Sequence, residues 1–264
     1  MNEQANPYRP PEADIDPPSS TTTAGTLLDQ PRSVAASQGA SWVGSGWELM
    51  KGAMGTWILM FIVSAAIVIV LSLIPLLGLL SGFLMPIFIG GWMIGCHRMH
   101  EDGEVRFEDL FAGFTEHFAP LAIASLLYAV ANIVVMMASG IVIALLGGSM
   151  TYFFDGDPGA GAFGLGLLIG MLVMMALMLP LMMMIWFAPA LITQHRISPV
   201  DALRMSFMGC LRNILPFLIY GLVGLLLIIV GLIPLGLGLL IVYPLLTCAT
   251  YSAYRDIFLA RGDD

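Results

Sequence analysis

Long runs of uncharged residues divide the chain into apolar segments separated by short charged stretches. Residues 52–97 contain no Asp, Glu, Lys or Arg, and residues 213–254 form a second such run. As helix, the first run would extend about 69 Å at 1.5 Å per residue. A bilayer core of about 30 Å needs roughly 20 residues per crossing. Each run is therefore long enough for two crossings joined by a bend.

Proline and glycine mark the bends. The first hairpin is predicted to turn near Ile74-Pro75-Leu76 or at Ser81-Gly82, and the last hairpin near Ile233-Pro234-Leu235. The uncharged runs 117–154 and 158–195 flank Asp155 and Asp157, and each predicts one crossing. The pattern therefore predicts an all-α polytopic membrane protein with six transmembrane helices, at 57–73, 77–96, 119–146, 164–191, 214–232 and 236–254.

The two ends of the chain differ from these segments. Residues 1–40 are rich in Pro, Ser and Thr and show almost no apolar periodicity, and they contain no signal-peptide pattern. We expect a disordered cytoplasmic tail over 1–40, a six-helix transmembrane domain over 41–258, and a short cytoplasmic C-terminal tail over 259–264.

A short motif recurs before the first, third and fifth predicted crossings: Glu48 to Met54, Glu108 to Phe114 and Asp201 to Phe207. Each copy has the order acidic, any, apolar, any, any, small, apolar. Ser45 and Ser198 stand three residues before the acidic residue, which predicts helix N-caps. The middle copy lacks this serine, so Asp102 is its candidate cap. The motif predicts a threefold repeat of an interfacial amphipathic helix followed by a transmembrane hairpin.

Apolar residues recur at helical spacing in the first two of these segments, as Trp47, Met50, Met54 and Trp57, and as Phe107, Leu110, Phe111, Phe114 and Phe118. Such stripes are typical of helices that lie in the membrane interface. We expect their aromatic faces to contact acyl chains.

Composition restricts the class of protein, and the positions of the charges predict its orientation in the membrane. Hydrophobic residues make up 58% of the 264 residues and charged residues 11%, which excludes a single soluble domain. The net charge of -8 argues against a nucleic-acid partner. All ten Lys and Arg fall on one side of the six predicted helices. The positive-inside rule then predicts a multi-pass protein of a bacterial inner membrane with both termini cytoplasmic.

Three stretches resemble uncharacterised proteobacterial inner-membrane proteins: Asp201 to Phe207, Arg212-Asn213 at the start of a crossing, and Tyr251 to Phe258. More distantly, residues 41–258 are similar to the membrane domain found beside glycerophosphodiester phosphodiesterases. The resemblance implies a six-helix integral membrane domain of unknown activity, and it assigns no catalytic residue.

The stretch His97 to Glu104 offers a His-x-x-His pair and three carboxylates, which are donor types for a divalent metal. A solvated loop after a crossing has the same composition, and we favour that interpretation. Cys96, Cys210 and Cys248 are odd in number and lie at apolar segments, which predicts free thiols. No catalytic, cofactor or metal residue is assigned.

Two further patterns favour packing. Met171, Met174, Met175, Met178 and Met182 share a helical face, and thioethers bind Cu(I) or Ag(I), but methionine is also a flexible apolar filler. Gly91 with Gly95 and Gly166 with Gly170 predict close helix approach, within the chain or in a homo- or hetero-oligomer. The match to GxGxxG over residues 159–164 follows no strand, so we attribute it to chance.

No Asp, Glu, Lys, Arg or His lies in a predicted membrane core, although coupled transport and intramembrane catalysis usually need one. The sequence therefore predicts a non-enzymatic integral membrane protein that acts by scaffolding or partner contact. The alternative is a channel or facilitator for a small neutral or amphiphilic solute. Its path would be lined by the polar residues of the crossings: Tyr128, Asn132, Tyr220, Tyr243 and Thr247.

Overall fold

A computed structural model of the chain describes residues 25–154 and 160–260, without the side chains of 75–81, 146–154 and 160–166. The described residues form ten helices, and their only β contact is an antiparallel bridge between Leu27 and Leu259. The helices are α1 (Gln38–Lys51), α2 (Met54–Ser72), α3 (Pro75–Glu101), α4 (Asp109–Thr115), α5 (Phe118–Phe154), α6 (Ala160–Trp186), α7 (Ala188–His195), α8 (Pro199–Arg212), α9 (Ile214–Leu232) and α10 (Leu239–Phe258).

The predicted all-helical membrane fold is confirmed. Four described segments are long and apolar enough to cross a bilayer: Met54–Ser72, Phe118–Leu145, Leu167–His195 and Ile214–Leu232. Of the other two predicted crossings, 77–96 lies within α3, and 236–254 overlaps α10, which begins three residues later than predicted, at Leu239. These two helices are less apolar because their last turns carry polar residues, such as Arg98 and Arg255.

Helix α10 lies in the core, with Cys248, Tyr251, Tyr254, Ile257 and Phe258 all buried. Helix α1 packs against α9 and α10 through glycines, because a side chain there would meet backbone. A Cβ on Gly46 would lie 2.6 Å from the backbone nitrogen of Ala249 in α10. Gly39 faces the Pro216 carbonyl of α9 in the same way.

Helices α5 and α6 form a long hairpin in which each packs against the other more than against any other single helix. In an 18-residue apolar window of each bilayer-length segment, Phe118–Leu145 and Leu167–His195, only 6% of residues are buried. Gly170 of α6 lies directly against the side chain of Ile143 in α5. The apolar outer faces of this hairpin are therefore exposed outside the protein core.

The structure differs from the expected disordered tail over residues 25–40. Leu28 N–H donates to the Phe258 carbonyl over 2.9 Å, and Arg32 N–H donates to the Ile257 carbonyl over 2.8 Å. Helix α1 already begins at Gln38. The polar composition concealed this order because the contacts are made by backbone groups. The remaining tail residues, 1–24 and 261–264, lie outside the described residues.

One of the predicted helix caps is confirmed and two are wrong. Ser198 Oγ accepts a hydrogen bond from Asp201 N–H at the start of α8. Ser45 lies inside α1, where packing of Trp42 and Gly46 against neighbouring helices extends the helix beyond the local capping signal. Asp102 caps the C-terminus of α3 and does not begin α4.

The predicted aromatic stripes do not form continuous lipid-facing surfaces. Met50, Trp57 and Leu110 are fully buried, whereas Trp47 and Phe111 are exposed. The short helices pack their stripes against α3, α9 and α10 because these helices offer a larger apolar surface within the protein.

The fourth predicted crossing, 164–191, is not one continuous helix. It ends at Trp186, and α7 begins after Phe187. Ser206 of α8 stabilises the break, since its hydroxyl accepts from Phe187 N–H and donates to the Met183 carbonyl.

The two predicted bends share the tripeptide Ile-Pro-Leu but have different structures. Pro75 begins α3, whereas Pro234 lies in the turn before α10.

Candidate functional site

Polar side chains of α3, α7 and α10 meet at one end of the bundle, which we call the charged end (residues 97–104, 194–196 and 251–256). His97 Nδ1 lies 3.0 Å from the Tyr251 hydroxyl, and His195 Nε2 lies 2.6 Å from the Tyr254 hydroxyl. Two aromatic hydroxyls on one face of α10 thus hold histidines from two other helices.

His100, one turn beyond His97, lies beside Arg255. The Arg255 guanidinium is 3.2 Å from His100 Nδ1. Burial lowers the pKa of His97, and nearby Arg255 lowers it further, while Glu101 and Asp102 oppose the shift. Burial and Arg255 also lower the pKa of His100. Both imidazoles therefore favour the neutral form, in which Nδ1 of His100 can accept from the guanidinium.

The hypothesis of a metal site over His97 to Glu104 gains no support from this geometry. The two histidines bind different residues of α10, and His100 Nε2 lies 3.9 Å from the nearest Glu101 oxygen. Among residues 25–154 and 160–260, no group of three or more His, Cys, Asp or Glu side chains could hold a metal ion.

A buried ion pair fixes the loop between α3 and α4. The Asp109 carboxylate, 2% exposed, binds the Arg98 guanidinium and accepts from Arg106 N–H. Burial raises the pKa of Asp109, and the Arg106 N–H and the charge of Arg98 act against this shift. The pair joins α3 to α4, and the Gly91 backbone contacts the Leu110 carbonyl beside it.

Residues 25–37, which we call the N-terminal strap, are held at the same end by α8 and α9. The Asn213 side chain, fully buried, accepts from Val34 N–H and donates to the Arg32 and Gly209 carbonyls. Arg212 donates to the Pro31 carbonyl over 2.7 Å. Arg212-Asn213, one of the three stretches that resemble other inner-membrane proteins, therefore anchors the strap.

Two cavities lined by described residues open at the charged end. One, of about 770 Å³, lies between α1, α3 and α10 and is bordered by Gly25 and Ala260. The other, of about 340 Å³, lies between the end of α3, the end of α7 and the α4–α5 junction. Both are lined by acidic and basic side chains, such as Glu48 with Arg255 in the first and Glu101 with Arg196 in the second.

The polar residues proposed for a channel are dispersed. The Tyr220 hydroxyl donates to the Leu246 carbonyl over 2.9 Å, between α9 and α10. Asn132 bonds within its own helix, to the Tyr128 carbonyl, and Thr247 does the same with Tyr243. Tyr243 packs against Phe61 and Trp92 and lines an apolar cleft of about 180 Å³. Each of these side chains therefore takes part in a different local contact, either within its own helix or with one or two neighbouring helices.

The methionine face of α6 points outward. Met171, Met175 and Met182 are 53%, 70% and 47% exposed. They are not drawn together around a common centre inside the protein. Gly91 and Gly95 contact α4 within the same chain, while Gly166 and the GxGxxG match fall largely outside the described side chains.

All three cysteines are free, as predicted, but the structure also places two of them together. Cys96 Sγ of α3 and Cys248 Sγ of α10 are 3.9 Å apart, and both side chains are fully buried. No local pattern could reveal this pair or the histidine–tyrosine pairs, because the partners are up to 154 residues apart in sequence.

Comparison with known proteins supports a membrane assignment. No family model matches the chain, and no solved structure matches it. A probable inner membrane protein of Burkholderia thailandensis is 28% identical over 250 aligned positions, covering 85% of this chain and 92% of that protein. With the four apolar helices, this similarity identifies the chain as a transmembrane protein of an inner membrane. The comparisons show no link to glycerophosphodiester phosphodiesterases.

Proposed function

We propose that the protein is a six-span, non-enzymatic inner-membrane scaffold whose α5–α6 hairpin contacts partners within the bilayer. The observation that carries this proposal is the hairpin itself, since most of its described large apolar side chains are exposed outside the protein core. The remaining helices enclose a core of aromatic and aliphatic side chains. The hairpin packs against these helices mainly through contacts of α5 with α3 and of α6 with α8.

Helices α3 and α10 complete the six spans in this proposal. At 27 and 20 residues they would extend about 40 Å and about 30 Å, which is sufficient to cross a bilayer core. Both helices are partly shielded from lipid by neighbouring helices, so they can cross the bilayer with a lower hydropathy than a helix that is fully exposed to lipid. Their polar last turns meet at the charged end, where both would leave the membrane.

The order of the helices supports the proposed threefold repeat. Short helices α1, α4 and α8 each precede a pair of longer helices, with α7 as an addition between the second and third units. Pro86 and Pro244 lie at similar places inside α3 and α10. Each short helix would pack at the interface on the charged side of its hairpin.

The charged end is the cytoplasmic end in this proposal. Arg98, Arg212 and Arg255 all lie there, and hydrogen bonds join the elements that carry them. Cations are retained on the cytoplasmic side of inner-membrane proteins. The strap and the C-terminal end of α10 lie at the same end, so both described chain ends are cytoplasmic in this proposal.

Photo-crosslinking from the hairpin tests the partner contact. A photoreactive amino acid in place of Met175, which is 70% exposed, should give a defined protein adduct in intact cells. The matched control is Leu191, which is fully buried and should crosslink only within the chain. Lipid adducts alone at position 175, and at neighbouring exposed positions such as Met171, would contradict partner contact through this hairpin.

Solute permeation tests the alternative of a channel or facilitator. Liposomes that contain the purified protein should swell in glycerol or urea at the rate of protein-free liposomes, because Asn132 and Thr247 bond within their own helices and Tyr220 bonds between α9 and α10. Faster swelling that disappears on changing Tyr243 to Phe would favour the channel and overturn the scaffold.

A further inference from the structure

The larger cavity at the charged end contains an arginine that has no carboxylate partner among the described residues. Arg98 binds buried Asp109, and Arg212 binds the strap, whereas the described contacts of Arg255 are with the His100 imidazole. Arg255 is half-buried and lines the cavity of about 770 Å³. Ligand sites commonly fall between about 300 and 1,000 Å³, so the cavity is large enough to hold a small molecule.

The cavity combines both signs of charge with hydroxyl groups. Arg255 and His100 supply hydrogen-bond donors, and Ser45 and Ser252 add hydroxyls. Glu48 supplies a carboxylate, whose partner is Lys51 in an exposed pair. Exposed pairs of this kind contribute little stability, so a ligand cation can replace Lys51. Asp256, which accepts from Trp42 Nε1 over 3.1 Å, also lines the cavity.

We propose that this cavity binds a phosphodiester that carries a primary amine, the chemistry of a phosphatidylethanolamine headgroup. The phosphate lies against Arg255 and the serine hydroxyls, since guanidinium matches phosphate geometry. The ammonium group lies toward Glu48. Apolar side chains of the same cavity, from Trp42, Leu49 and Met99, contact the glycerol region. An anionic headgroup would be disfavoured because two carboxylates share the cavity.

That this phosphodiester belongs to a membrane lipid rests on the proposed function, in which the charged end is cytoplasmic and this cavity lies at the cytoplasmic leaflet. A water-soluble phosphodiester such as glycerophosphoethanolamine offers the same two groups. The test therefore includes both compounds.

Native mass spectrometry of the full chain in detergent, with equal amounts of dioleoyl phosphatidylethanolamine and phosphatidylglycerol, measures the retained lipid. The wild type should retain the ethanolamine lipid in preference. Arg255→Gln should reduce its retention about tenfold, the effect of losing a charge-assisted contact. Arg204→Gln is the matched control, because Arg204 is exposed on α8 and does not line this cavity. Glu48→Gln should remove the preference for ethanolamine.

Equal retention by the wild type and Arg255→Gln, or an equal loss in Arg204→Gln, would overturn the site and indicate lipids bound nonspecifically. Equal retention of the two lipids by the wild type would overturn the role of Glu48. Saturable binding of glycerophosphoethanolamine that displaces the lipid would overturn the lipid source. A thermal transition equal to that of wild type confirms that each variant is folded, and Arg255→Lys, which should retain part of the binding, replaces Arg255→Gln if that variant unfolds. The detergent measurement does not depend on topology, so its failure is distinguishable from failure of the proposed orientation.

Discussion

Single residues decide how closely the helices of this protein approach one another. Gly39 and Gly46 of α1 face backbone atoms of α9 and α10, whereas a Cβ added to Gly44 of the same helix would meet no atom within 4 Å. Replacing glycine by a larger residue should therefore destabilise the protein at positions 39 and 46, but not at position 44 of the same helix. Interior packing of this density has no room for an added methyl group.

Changing Gly46 to Ala should destabilise the protein by about 1–3 kcal/mol, because Cβ would overlap the backbone of Ala249. Gly44→Ala should stabilise α1 by up to about 1 kcal/mol, since alanine has the higher helix propensity. The thermal transition of the detergent-solubilised protein measures both changes. A loss of stability in Gly44→Ala as large as that in Gly46→Ala would contradict the close α1–α10 contact.

Histidine at the charged end should make stability depend on pH. Because burial lowers the pKa of His97 below 6.5, the folded state binds fewer protons than the unfolded state at acidic pH. The contribution of His97 is fully present above pH 6.5 and is lost as the pH falls through its folded pKa. The transition temperature should therefore decrease between about pH 7.5 and about pH 5.5. His97→Gln should show a smaller decrease, and an unchanged pH profile in this variant would contradict the assignment.

Residue-level prediction succeeded where the partner is local and failed where it is distant. The Ser198 cap depends on a residue three positions away, so its pattern is visible in the sequence. The pairs His195–Tyr254 and Cys96–Cys248 depend on how three helices pack, for which no short motif exists. The His97-x-x-His100 pair is visible in the sequence, but the tyrosine partners of His97 and His195 are not.

At the scale of elements, hydrophobic periodicity predicted helices better than it predicted their surroundings. Helix α9 begins and ends at the predicted residues, 214 and 232, because Asn213 and the following turn delimit it. The strap was missed because its hydrogen bonds use backbone groups, which composition does not report. The break after α6 was missed because Ser206, from another helix, stabilises it.

Replacing Asn213 by Ala should release the N-terminal strap. The change removes an acceptor for Val34 and donors to two carbonyls, and leaves buried polar groups without partners, at a cost of about 2 kcal/mol or more. Asn132→Ala, whose side chain bonds only within α5, is the control with a small expected effect. Limited proteolysis should cut the strap faster in Asn213→Ala alone, and equal cleavage in both variants would show that Asn213 does not anchor it.

Helix α8 should present one buried and one accessible face. In a background without the three native cysteines, a water-soluble maleimide should label Cys at position 204 strongly, at 207 weakly and at 203 least. Leu203 is 5% exposed, Phe207 is half-buried, and Arg204 is exposed. Uniform labelling along the segment would mean a solvated loop and would remove the third unit of the proposed repeat.

At the scale of the whole molecule, composition established a membrane protein, and the structure adds an asymmetric arrangement. A core of aromatic side chains surrounds α3 and α10, while the α5–α6 hairpin extends to one side with its apolar faces exposed. The charged end unites the ends of α3, α7 and α10 with the strap. The central claim is that six helices cross the membrane with this end in the cytoplasm.

Alkaline-phosphatase fusions after Gly103 and after Leu235 test that claim most directly, since the enzyme is active only outside the cytoplasm. Residue 103 follows α3 and residue 235 follows α9. If α3 crosses the membrane, the fusion at 103 should be inactive, and fusions at 235 and 156 should be active. A fusion at 264 should again be inactive because α10 returns to the cytoplasm. An active fusion at 103 or 264 would contradict the six-span topology.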